Sequence, residues 1–138
     1  MRRTPGFTVL ETTAGLAVAA VAVGVGAVQL TALLETARLA GAARSLAASM
    51  RLTRGQALAS GDAFEVRFDQ AAAIWEVTGG DPASIHRLPP GVAFGTLPAR
   101  RRIRFGALGT AENGTIVLAA GPRLRRVVVN QRGRVRVQ

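Results

Sequence analysis

Cysteine is absent from this 138-residue chain, and histidine occurs once, at His86. These absences exclude disulfides and Cys–His catalysis, and a zinc site built from histidine or thiolate has too few ligands. Lysine is also absent, so all eighteen positive side chains are arginine, each competent for bidentate contact with phosphate. Acids are scarce in the C-terminal part: residues 87–138 hold eleven arginines against Glu112 alone and carry the whole net charge of +10. Two readings of this asymmetry stay open. One is an anionic partner such as nucleic acid or an acidic surface, and the other is a solvated basic face that aids solubility.

Charge is missing altogether from Thr12 to Leu34. Such a run, at about 1.5 Å rise per residue, makes roughly 34 Å of helix, against a bilayer core of about 30 Å. Ahead of it stands Met-Arg-Arg-Thr-Pro-Gly6, then Phe7-Thr-Val-Leu-Glu11. A carboxylate at the apolar end of a spanning segment costs roughly 2.5–3.5 kcal/mol, so Glu11 is expected to have a partner. A secretory signal would show a small-residue cleavage site after the apolar run, and Leu30-Thr-Ala-Leu-Leu-Glu-Thr-Ala-Arg38 offers none. An ordinary anchor fits the length but leaves Gly6-Phe7 and Glu11 unexplained. Arg2 and Arg3 keep the N-terminus cytoplasmic by the positive-inside tendency.

Helical periodicity continues from Glu35 to Ala59, with Leu39, Ala43, Leu46, Met50, Ala57 and Leu58 forming an apolar stripe. Ser60-Gly61-Asp62 ends it with turn chemistry. The period then changes to that of strands. Phe64–Phe68 alternates, Ile74–Val77 is its antiparallel partner, and short strands follow at Val92–Leu97, Ile103–Phe105, Thr115–Leu118, Leu124–Val129 and Arg134–Val137. Asn113-Gly114 reads as a hairpin turn ahead of Thr115. His86 is expected in an exposed loop, and Asp62, Glu65, Asp69 and Glu76 are read as solvent-facing partners of Arg67. Trp75, Phe64, Phe68 and Phe105 are assigned to the core. No catalytic set, metal site or cofactor motif emerges, so the chain reads as a non-enzyme.

The first eleven residues resemble the N-termini of type IV prepilins and type II secretion pseudopilins. The resemblance implies cleavage after Gly6 by a prepilin peptidase, N-methylation of Phe7, and pairing of Glu11 with a neighbouring subunit's terminal amine. The remainder is similar to the GspH/FimT minor subunits: Arg54-Gly-Gln-Ala57-Leu58, Ile74-Trp75-Glu76-Val77, Leu88-Pro-Pro-Gly91-Val92, Ile103-Arg-Phe105 through Gly109, and Gly133-Arg134, in that order. The implied fold is α+β and pilin-like, a long N-terminal helix whose first half is transmembrane, packed on a small antiparallel head of two sheets. Its expected organisation is a leader at 1–6, a spanning and filament-core helix at 7–34, and a periplasmic head at 35–138, anchored in a bacterial inner membrane. The helix lacks the mid-segment proline common in major pilins, which fits a minor subunit. Implied partners are other pilins or pseudopilins, the peptidase, an inner-membrane assembly platform and membrane lipid.

One further set is singled out. A strand period places Arg134 and Arg136 on one face, with Val135 and Val137 turned to the core, and pairing with Leu124–Val129 would gather Arg123, Arg125, Arg126, Arg132, Arg134 and Arg136 into one patch. Gly133-Arg-Val-Arg136 resembles the Gly-Arg-x-Arg motif of FimT-type minor pilins that contact DNA, although a basic strand also serves simply to protect a sheet edge. Two functions therefore stand side by side: a tip-proximal minor pseudopilin of a type II secretion system, or a DNA-binding minor pilin of a type IV pilus.

Overall fold

A computed structural model describes residues 8–80 and 82–138. Gly6, Phe7 and the leader fall outside them. By its contacts the chain divides into a unit ending at Leu34 and a second unit, Glu35–Gln138.

The single helix, α1, runs Val9–Ser60. Thr8 starts it: its hydroxyl accepts the Glu11 N–H at 3.2 Å, and Glu11 stands in the first turn, where a negative charge meets the positive end of the helix dipole. At the other end Gly61 takes φ 75°, and its N–H is donated to the Ala57 carbonyl at 3.1 Å, closing the last turn in the left-handed manner that glycine allows. The residues up to Val25 are exposed, and the helix is long and apolar enough to cross a membrane. Within the second unit Leu39, Ala42, Ala43, Leu46, Ala47, Met50, Thr53 and Ala57 are buried at three- and four-residue spacing. Thr53 is tolerated there because its hydroxyl is donated to the Ser49 carbonyl at 2.8 Å. Leu58, expected in this stripe, is half exposed and instead lies over Gly109.

Eight strands follow: β1 Phe64–Asp69, β2 Ile74–Thr78, β3 Ser84–Arg87, β4 Ala93–Thr96, β5 Arg102–Phe105, β6 Gly114–Ala120, β7 Arg123–Val129 and β8 Val135–Val137. They form two antiparallel sheets, ordered β3-β2-β1-β5 and β4-β6-β7-β8. Both sheets and the helix share one core, in which Phe64, Val66, Phe68, Trp75 and Ile103 of the first sheet meet Ile116, Leu118, Val127 and Val129 of the second. The Trp75 indole N–H is donated to the Ser49 hydroxyl at 3.2 Å, which ties the first sheet to the helix. Gly121-Pro122 turns β6 into β7, with Ala120 opposite Arg123.

Four further sequence readings of the head need correction. His86 belongs to a strand: β3 pairs with β2, and the exposed imidazole stacks on Trp75 with centroids 5.2 Å apart. Asn113-Gly114 makes no hairpin, because β5 and β6 lie in different sheets; Gly114 instead leaves room for Ile103 and Pro98, which an added Cβ would strike. Asp69 serves the backbone, its carboxylate accepting the N–H groups of Ala71 and Ala72 at 2.9 and 3.0 Å and so building the β1–β2 turn. Val137, assigned to the core, is 37% exposed because β8 is a short edge strand and only Val135 reaches inward.

Candidate functional site

The C-terminal arginines are distributed by the pleat of the second sheet. Val127 and Val129 face the core, so Arg123 and Arg125 share their side and Arg126 points outward. Arg136 lies opposite Val128, and the Arg126 backbone exchanges 2.8 Å hydrogen bonds with Gln138. Arg126 and Arg136 are therefore diagonal neighbours on the outer face. Arg134 is exposed just before β8, its N–H donated to Asn130 Oδ1 at 2.9 Å, and Arg132 sits in the same turn. The six do not form one patch. Arg126, Arg132, Arg134 and Arg136 remain exposed around the outer face and turn, whereas Arg123 is paired with Glu35 at 2.8 Å and Arg125 stays on the helix side.

The structure adds arginines that sequence reasoning passed over. An open cleft of about 370 Å³ is lined by Arg100, Arg102, Glu112, Asn113 and Gln131, and a second of about 330 Å³ by Asn113, Asn130, Gln131, Arg132 and Arg134. They share Asn113 and Gln131, so the two clefts adjoin between the start of β5 and the 130–134 turn. Acids temper its charge: Glu112 pairs with Arg100 at 3.3 Å and Glu65 with Arg102 at 3.1 Å. Glu65 also takes the Arg67 Nε at 2.6 Å, and this hydrogen bond holds the Arg67 guanidinium above its ordinary value. The run Arg100-Arg-Arg102-Ile-Arg104 was the available signal.

Gly133 has a structural reason of its own. It takes φ 69°, and a Cβ there would collide with the Gly109 carbonyl and with Arg54. Arg54 Nε is donated to that same carbonyl at 3.0 Å, and Arg51 Nη2 to the Val135 carbonyl at 3.1 Å, so two helix arginines hold the C-terminal segment. The glycine and the arginines of Gly133-Arg-Val-Arg136 thus have separable roles.

At the other end of the chain Glu11 is exposed, and no hydrogen-bond partner or counter-ion for its carboxylate stands among the described residues. The bare apolar helix beyond it and the two-sheet head define a pilin-like structural subunit. The family profile of type II transport protein GspH matches residues 42–133, and the chain belongs to that family. Its fold is similar to the minor pseudopilin EpsH from the type 2 secretion system of Vibrio cholerae, at TM-score 0.60 and 17% identity over 73% of this chain and 96% of that one. It is equally similar to the type IV minor pilin FimU of Pseudomonas aeruginosa, at TM-score 0.62 and 17% identity over 75% and 90%. A comparison with curated protein sequences finds no significant match. The family is one of structural subunits that assemble with other pilins.

Proposed function

We propose that this chain is a non-enzymatic minor pseudopilin that enters a type II secretion filament at a tip-proximal position. The observation that carries the assembly role is Glu11, an acid with no carboxylate partner among the described residues, at the head of an exposed apolar helix. The Thr8 hydroxyl satisfies the Glu11 backbone N–H, not the carboxylate, and a carboxylate in an apolar setting needs an opposite charge. The Phe7 amine of a neighbouring subunit, freed by cleavage after Gly6 and then methylated, supplies that charge. Before assembly, residues 7–34 hold the subunit in the inner membrane with the head 35–138 in the periplasm, where the assembly platform takes it up. The likeness to minor subunits supports a place near the filament end. The test is complementation of a deletion strain: wild type should restore protein export to the medium, and Glu11→Leu should not, although both accumulate equally in the membrane. Restored export by Glu11→Leu would overturn the assembly role.

A second reading has its own observation. Exposed Arg126, Arg132, Arg134 and Arg136, with an adjoining cleft lined by Arg100 and Arg102, favour phosphate contact along a nucleic-acid backbone. Under this reading the subunit serves DNA uptake in a type IV pilus.

A further inference from the structure

Arg123 and Arg125, turned away from the outer face, belong to a different place on the molecule. Glu35 is the first charged residue after the apolar run, and its Oε2 accepts from Arg123 Nη1 at 2.8 Å. This ion pair brings the β6–β7 turn to the helix position at which the apolar run stops. Arg38 stands about 4.5 Å further along the axis, exposed and with no ion-pair partner among the described residues. Between them lies a cleft of about 190 Å³, bounded by Glu35, Arg38, Pro90-Gly91 and Gly121. Arg125 is exposed two residues beyond Arg123 on the same sheet face. Arg38, Arg123 and Arg125 outnumber the one acid paired with them, Glu35 on Arg123, by two positive charges. Only Nη1 of Arg123 is engaged by Glu35, which leaves its other donors available among the described residues.

We propose that Arg38, Arg123 and Arg125 bind the phosphate of an anionic phospholipid headgroup on the periplasmic side of the membrane. The proposal rests on the reading of residues 7–34 as a membrane-spanning helix. The headgroup layer adds roughly 5–8 Å on each side of the hydrocarbon core. With Leu34 ending the apolar span, Glu35 and Arg38 fall inside that layer, and the Glu35–Arg123 pair draws the hairpin down to it. Guanidinium offers paired donors to phosphate oxygens, and Glu35 fixes Arg123 in position without neutralising Arg38 or Arg125. Nucleic acid fits this place poorly, because its phosphates would have to enter the lipid headgroup layer.

The experiment is native mass spectrometry of the full chain released from nanodiscs holding equal phosphatidylglycerol and phosphatidylcholine. One arginine near an anionic surface contributes a factor of about five in binding. Wild type should therefore retain phosphatidylglycerol over phosphatidylcholine by at least about tenfold. Arg38→Gln with Arg125→Gln leaves only the neutral Arg123–Glu35 pair at this place, and the preference should fall by at least about tenfold. Arg126→Gln, on the opposite sheet face, should leave it unchanged. Insertion with equal retention of both lipids by wild type, or an undiminished preference in the double variant, overturns the proposal alone. A chain that stays out of the bilayer overturns the spanning reading and the proposal together.

Discussion

Replacing Gly133 by alanine separates what the Gly-Arg-Val-Arg segment does for the fold from what it does for a ligand. Two costs add at this position. Holding an L-residue at φ 69° costs roughly 1–2 kcal/mol. The added Cβ would also stand 2.6 Å from Arg54 Nε and 2.8 Å from its Cδ, besides striking the Gly109 carbonyl, so the 3.0 Å hydrogen bond between those two groups must open. A hydrogen bond to a charged group is worth about 1.5–3 kcal/mol. The sum, about 2.5–5 kcal/mol, is a large part of the 5–15 kcal/mol typical of a domain. Gly121→Ala isolates the backbone cost, because φ there is 55° and nothing lies within 4 Å of the new Cβ. Gly95→Ala carries neither cost, its nearest contact being 3.6 Å away, and should be neutral or stabilising by up to about 1 kcal/mol. The buried hydrophobic residues among those described all lie between Leu39 and Val135, so a soluble chain of residues 35–138 keeps its own core. Urea unfolding of that chain is read by Trp75, the single tryptophan, whose indole is bonded to the helix at Ser49. Destabilisation by Gly133→Ala no greater than by Gly121→Ala would refute the collision argument.

Processing gives a second test: Gly6→Val should leave the full-length precursor in the membrane, and mass spectrometry of the wild-type subunit should find a methylated Phe7 at its N-terminus. An intact Met1 in assembled protein would contradict both steps. For the DNA reading, Arg134→Gln with Arg136→Gln should leave the urea midpoint of the head unchanged, since both side chains are exposed. The same pair should flatten the salt dependence of duplex binding by roughly two units of slope, at about 0.9 for each phosphate that is no longer neutralised. Absence of binding by the wild-type head at low salt would remove that reading and leave the secretion subunit standing.

Local pattern was enough to read the long helix, its stop at Ser60-Gly61 and seven of the eight strands, because side-chain period and turn chemistry act over a few residues. The membrane-length apolar run and the position of Glu11 are likewise properties of the linear chain. What the linear chain could not decide was which strand pairs with which. Asn113-Gly114 has the composition of a hairpin, yet the burial of Phe105 in one sheet and Ile116 in the other separates the strands it joins. The exposed strand β3 has no signature of its own because its four residues carry no alternation, and it exists through pairing with β2. The arginines show the same division. Their number and their crowding after residue 86 are a matter of sequence, but only the pleat of β7 turns Arg126 outward and Arg123 toward Glu35, 88 residues away along the chain. Side-chain direction follows from which face the neighbouring valines bury. That face is set by the helix and the two sheets closing on one core, a long-range event that no short window of sequence contains.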